Sequence, residues 1–196
     1  RNRNVKEWMQ GNFVEAKKKE LMECHRSMID ETRRLGRDSF GLVSRYLKAD
    51  CIELFLSAKA KAGVLRDMTD IATNAGYVYD DEALFKALVE REEVASTAIG
   101  EGAAFLHPRY HDPYLFAESF IAYARTERPI FFGAPDGGAT RHFFLICAAD
   151  REIHLHILAR LAMLAHGSDF FEKLDASETP EDVLLTVADS EAEFIQ

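Results

Sequence analysis

A chain of 196 residues with 47% hydrophobic side chains can bury the core of one ordinary domain plus an appendage, so a disordered chain is excluded. No run of about 18 apolar residues occurs and the N-terminus lacks a signal-type apolar core, so neither membrane insertion nor secretion is indicated. The formal charge of −9 is unevenly spread: residues 1–50 hold 12 Lys/Arg against 8 Asp/Glu, and residues 51–196 hold 12 against 25. The larger part is therefore a poor generic nucleic-acid binder, and only the basic front end keeps that option open.

Residues 13–35 read as a helix whose apolar positions Val14, Leu21, Met28 and Leu35 repeat every seven residues. That stripe is thin for a core-facing helix, which leaves a solvated linker helix or a self-pairing helix of a homodimer. Gly36 and Gly41 punctuate, and the main domain is expected to start near Leu42. Cys51–Leu56 predicts a short strand, Ser57 to Ala75 a helix stopped at Asn74 and Gly76, and Asp80-Asp81-Glu82 the acidic start of a helix through Val89. Ala103–Leu106, Glu118–Arg125 and Arg141–Ala149 predict strands, the last nearly continuous in its apolar character and so buried on both faces. Residues 133–138 make a turn, Asp150 caps a helix to about Ala165, Ser168 starts a short helix, and Glu178 to Asp182 begins a final one. Strands alternating with helices indicate an α/β domain over residues 42–196, a sheet flanked by helices, with residues 1–41 as an N-terminal helical linker or the remnant of an upstream module. The absence of an initiator methionine also suggests a fragment of a longer protein.

Cys24, Cys51 and Cys147 are few, odd in number and far apart, which argues against a disulfide framework or a zinc site and suits a reducing cytoplasm. No His/Cys/Asp set has convincing ligand spacing, so no metal is expected, and nothing in the chain asks for a cofactor.

The segment from Arg91 to Arg109 concentrates the residue types that phosphate chemistry uses. His107 is followed by Pro108, which favours an extended backbone and places the histidine at the end of a strand, where ligand sites of α/β domains gather. Arg91 or Arg109 offers a planar cationic fork, Ser96 and Thr97 offer hydroxyls, and Gly100 and Gly102 permit either a close backbone approach or a tight turn. Each has an ordinary reading beside the functional one: packing for the hydroxyls, a surface ion pair for the arginines.

Of the seven histidines, at 25, 107, 111, 142, 154, 156 and 166, His154 has the most distinctive placement. It precedes Ile157, Leu158, Leu161 and Ala165 at helical spacing, so it shares their inward face, and it lies in the first turn, where backbone N–H groups and the helix dipole favour an anion. A core histidine bonded to a carbonyl fits the same position. His156 lies about 200° around the helix and belongs to the surface. His111 and His142 read as loop or edge residues.

Arg91-Glu92-x3-Ser96-Thr97-x-Ile99-Gly100-x-Gly102-x-Ala104-x2-His107 resembles the signature of the mannitol/fructose-type IIA domains of the bacterial phosphoenolpyruvate:sugar phosphotransferase system, nitrogen-regulatory IIA proteins included. The segments Pro129–Gly137, 143–149 and His154–Ala162 follow in the same order, so the likeness spans roughly residues 42–190. The resemblance implies a mixed parallel and antiparallel sheet flanked by helices. It also implies a histidine that takes a phosphoryl group from the carrier protein HPr and passes it to a downstream IIB domain or a regulatory target. Under it His107 resembles the phosphorylated histidine, Arg91 the arginine beside it and His154 the second active-site histidine, with Ser96, Thr97, Gly100 and Gly102 framing the phosphoryl group. This chain has Phe105-Leu106 where many members read Ile-Pro. That departure keeps a second expectation open, a IIA-derived binding module that signals without phosphotransfer. Val5–Met9 faintly resembles the tail of an excisionase-type DNA-binding module, so nucleic acid enters only through a missing N-terminal part.

Overall fold

The computed structural model describes residues 42–109, 114–167 and 169–193. The helix expected over 13–35, and with it self-pairing, lies outside the described residues, as do His25 and His111.

Among the described residues six helices and five strands follow in the order α1 (Leu42–Tyr46), β1 (Leu47–Leu56), α2 (Lys61–Asn74), α3 (Asp81–Val94), β2 (Ala98–Gly100), β3 (Ala103–Leu106), β4 (Phe120–Ile130), β5 (Thr140–Cys147), α4 (Arg151–Ala165), α5 (Phe170–Ala176) and α6 (Pro180–Glu193). The strands form one sheet in the order β1-β4-β5-β3-β2. β1 runs parallel to β4 and β3 parallel to β5, whereas β4–β5 and β2–β3 are antiparallel. The sheet is thus mixed, as expected.

Period-two alternation assigns the two faces. Phe120, Ala122 and Ala124 of β4, Phe143, Leu145 and Cys147 of β5, and Ala104 and Leu106 of β3 pack with Val64, Leu65 and Met68 of α2 and Leu84 and Leu88 of α3. The intervening residues, Ile121, Tyr123, Phe144, Ile146, Ala103 and Phe105, pack with Ile157, Leu161 and Leu164 of α4, Leu174 of α5, and Val183 and Val187 of α6. Continuing the alternation past β3 turns His107 toward the α4 side.

The starts of α3 and α4 are set by side chains. The Asp80 carboxylate accepts from Ala83 N–H at 2.9 Å and the Asp150 carboxylate from Ile153 N–H at 2.9 Å, each supplying a partner to an otherwise unpaired first-turn donor. Boundaries moved where polar residues hid the pattern. β1 starts at Leu47 rather than Cys51, because it is an edge strand whose Lys48, Ala49 and Asp50 tolerate solvent. α3 runs to Val94 rather than Val89, since Glu90 to Glu93 are good helix formers despite being uniformly charged. That extension makes Arg91 and Glu92 helical.

His142 requires a correction. Expected in a loop or at an edge, it lies on the central strand β5, 4% exposed, its Nδ1 2.9 Å from the Tyr123 hydroxyl and its ring stacked on Phe171 at 4.8 Å. A polar residue before an apolar run looks like a boundary, but hydrogen bonding lets it enter the core.

Candidate phosphoryl-acceptor site

His107 follows directly on β3. Its Nδ1 is 2.8 Å from the Phe105 carbonyl oxygen, which can only accept, so Nδ1 carries the ring proton. Nε2 then holds a lone pair, and it accepts from Arg91 Nε–H at 3.0 Å. Arg91 is anchored by a second bond, from Nη1 to the Ala95 carbonyl at 2.9 Å. Burial holds its guanidinium below the ordinary arginine value, with Glu92 acting in the opposite direction and the positive charge of Arg109 adding to the lowering. Two arginines thus lie close enough to repel each other, one of them bonded to the His107 ring, an electrostatic cost that a bound dianion would relieve.

His154 lies in the first turn of α4, its ring centroid 4.8 Å from that of His107 and the planes tilted by 52°. Its N–H closes the first helical turn on the Asp150 carbonyl at 3.2 Å. Ile157 and Leu161 on the same stripe are fully buried, which fixes the rotation of α4 and with it the direction of the histidine. The arrangement can offer a nucleophilic nitrogen, a second imidazole and a cationic fork to one incoming anion.

The other expected phosphate ligands are placed differently. The Thr97 hydroxyl donates to Glu92 Oε2 at 2.7 Å and the Ser96 hydroxyl to the Phe132 carbonyl at 3.1 Å, so both protons are used within the fold. Gly100 and Gly102, with φ of 93° and 80°, form the β2–β3 hairpin around Glu101, whose φ is 52°. This turn lies at the opposite end of β3 from His107, about 16 Å away at the strand rise per residue. Glycine at position 100 also has a packing reason, because a Cβ there would stand 3.1 Å from an Asp136 carboxylate oxygen. Of the two readings of these glycines, the geometry selects the tight turn.

Phe105 and Leu106 pair with Phe144 and Leu145 of β5 and are 4% and 1% exposed. The ladder and the core thus hold the backbone before His107 without a proline. Glu92, present in the motif but given no role by sequence reasoning, is 7% exposed and joins Thr97 to Lys61. Its position directly after Arg91 in a helix was the available signal. Among the described residues no group of three or more His, Cys, Asp or Glu side chains could hold a metal ion, and no helix is long and apolar enough to cross a membrane.

Residues 45–190 match the family model described as "Phosphoenolpyruvate-dependent sugar phosphotransferase system, EIIA 2". The chain is 32% identical over 152 residues to the PTS system fructose-specific EIIA component of Haloferax volcanii, covering 75% of this chain and 97% of that one. It is 34% identical over 111 residues to a nitrogen regulatory protein of Bradyrhizobium diazoefficiens, covering 56% of this chain and 71% of the relative. Its fold is that of enzyme IIAMTL in the solution complex with phosphorylated enzyme IIBMTL from Escherichia coli, with a TM-score of 0.64 at 21% identity over 73% of this chain and 99% of the other. Family match, sequence similarity and fold agree, and the chain belongs to the EIIA 2 family of the phosphoenolpyruvate-dependent sugar phosphotransferase system.

Proposed function

We propose that residues 42–196 are a phosphohistidine carrier in the cytoplasm, with His107 as acceptor and an HPr-like phosphocarrier protein as donor. The observation that carries this reading is the state of the His107 ring: Nδ1–H spent on Phe105 O, and Nε2 turned to the Arg91 guanidinium at 3.0 Å. In the forward step the Nε2 lone pair forms a nitrogen–phosphorus bond while the bond from phosphorus to the donor imidazole breaks, the electron pair leaving with the donor. Arg91 Nε–H moves from the lone pair to the phosphoryl oxygens, and the Phe105 carbonyl supports the positive charge that the ring acquires. His154 donates a hydrogen bond to the same group from a helix start whose dipole favours it. Ser96 and Thr97 hold the loop rather than the phosphate. Onward transfer reverses these steps toward a IIB domain or a regulatory target.

The likeness to a nitrogen regulatory protein supports a regulatory role and the likeness to a fructose-specific EIIA component supports sugar uptake; of the two we favour regulation. Incubation with phosphoenolpyruvate, enzyme I and HPr is expected to add one phosphoryl group, lost in His107→Ala. Absence of label while a family control is labelled would remove the carrier reading and leave a module that signals by contact.

A further inference from the structure

Arg91 and Glu92 are consecutive on α3, about 100° apart around the axis, so their side chains serve different neighbours. The Glu92 carboxylate accepts from Thr97 N–H at 3.0 Å to Oε2 and 3.2 Å to Oε1, and from the Thr97 hydroxyl at 2.7 Å. It also pairs with the Lys61 ammonium at 2.8 Å, and Lys61 in turn lies 4.7 Å from the Phe132 ring centroid. The end of α3, the start of α2 and the entry to β2 therefore meet at one buried charge whose hydrogen-bonding capacity is well used. A buried carboxylate is costly unless so satisfied, and its presence calls for a reason beyond cohesion.

The reason lies in what flanks Thr97. Two residues earlier, the Ala95 carbonyl takes Arg91 Nη1–H at 2.9 Å, which aims Arg91 Nε at His107 Nε2. At Thr97 itself, the carbonyl accepts from Phe105 N–H at 3.0 Å, and the Phe105 carbonyl in turn takes the proton of His107 Nδ1. Both ring nitrogens of His107 are thus oriented through the one segment that Glu92 holds.

We infer that Glu92, held by Lys61, is a positioning residue for the phosphoryl acceptor, setting the tautomer and the direction of the His107 lone pair without touching the ring. The kinetic part of this inference rests on the carrier reading; the tautomer part does not. The experiment compares wild type with Glu92→Gln, Lys61→Met, Thr97→Val and the conservative Thr97→Ser. It reads the ring-nitrogen NMR shifts of His107 in the unphosphorylated protein and the rate of phosphoryl uptake from phospho-HPr across donor concentrations.

Wild type and Thr97→Ser are expected to show one tautomer, protonated at Nδ1. Glu92→Gln and Lys61→Met are expected to mix the tautomers and to lower the saturating rate on the order of tenfold, with the half-saturating donor concentration kept within about twofold, as misplacement of a reacting group requires. Folded Glu92→Gln and Lys61→Met proteins that keep the wild-type tautomer and a saturating rate within about twofold of wild type would overturn the inference. Should Glu92→Gln not fold, Lys61→Met and Thr97→Val decide it by the same readouts. A wild type that takes no phosphate removes the carrier reading alone, and the NMR comparison still decides the positioning role.

Discussion

Lowering the pH from 7 to 4 is expected to destabilise the domain through one residue, His142. Burial pushes its imidazole down, and nearby Arg141 and Arg125 act the same way, while Asp175 opposes them from 3.5 Å; the balance leaves it at about 4 against an ordinary 6.5. Burial outweighs the carboxylate because the ring is sealed under Phe171, and the hydrogen bond to Nδ1 suits the neutral form. The Tyr123 hydroxyl is itself held protonated, chiefly by burial, and a neutral ring whose Nε2–H faces Asp175 accepts from that hydroxyl at Nδ1. Between pH 6.5 and 4 the unfolded chain binds a proton that the native state refuses. Stability is therefore fully present above 6.5, is lost as pH falls through the window and levels off below 4, with a total of about 3 kcal/mol at 1.36 kcal/mol per pH unit. Against a typical domain stability of roughly 5–15 kcal/mol this is a large share. Urea unfolding at half-unit steps from pH 7.5 to 3.5 measures it, with His142→Gln, which can still accept from Tyr123, as the comparison. If the variant and the wild type lose stability in parallel between 6.5 and 4, or if the His142 resonances titrate near 6.5, the reasoning is refuted.

Two further outcomes concern the site. Arg91→Lys keeps a positive charge but loses the planar fork that reaches His107 and Ala95 together, so phosphoryl uptake should slow about 10²-fold, the scale for removing a preorganised oxyanion donor, with stability nearly unchanged; rapid-quench kinetics would show it, and a rate within a few-fold of wild type would contradict the role. Asp150→Ala removes the cap of α4 and should cost about 1 kcal/mol in urea unfolding while also slowing uptake, because the capped first turn carries His154; a stability loss with an unchanged rate would show that His154 does not depend on that turn.

Much of the site could be read from residue order. The proline after His107 favours an extended backbone at the end of the apolar run, and the apolar helical stripe behind Asp150 shares its face with His154. These are local effects, in which one short window contains both the cause and the result. The α3 extension was hidden because four charged residues carry no apolar period, although their helix propensity is high. The roles of Thr97 and the glycines were hidden for another reason: each has two chemically reasonable uses, and choosing between them needs the partner. Glu92 supplied the partner for Thr97, and the β2–β3 reversal supplied the use of Gly100 and Gly102.

Sequence alone determined the mixed α/β class, the capped starts of α3 and α4 and the place of His107 at the end of an apolar strand, since periodicity, capping and a family signature are all properties of neighbours along the chain. Tertiary structure alone decided that Arg91 of α3, His107 after β3 and His154 of α4 meet, that Gly100 and Gly102 do not join them, and that His142 is buried. Those outcomes depend on strand order and helix rotation, which arise when distant apolar faces pack together and which no single window of residues contains.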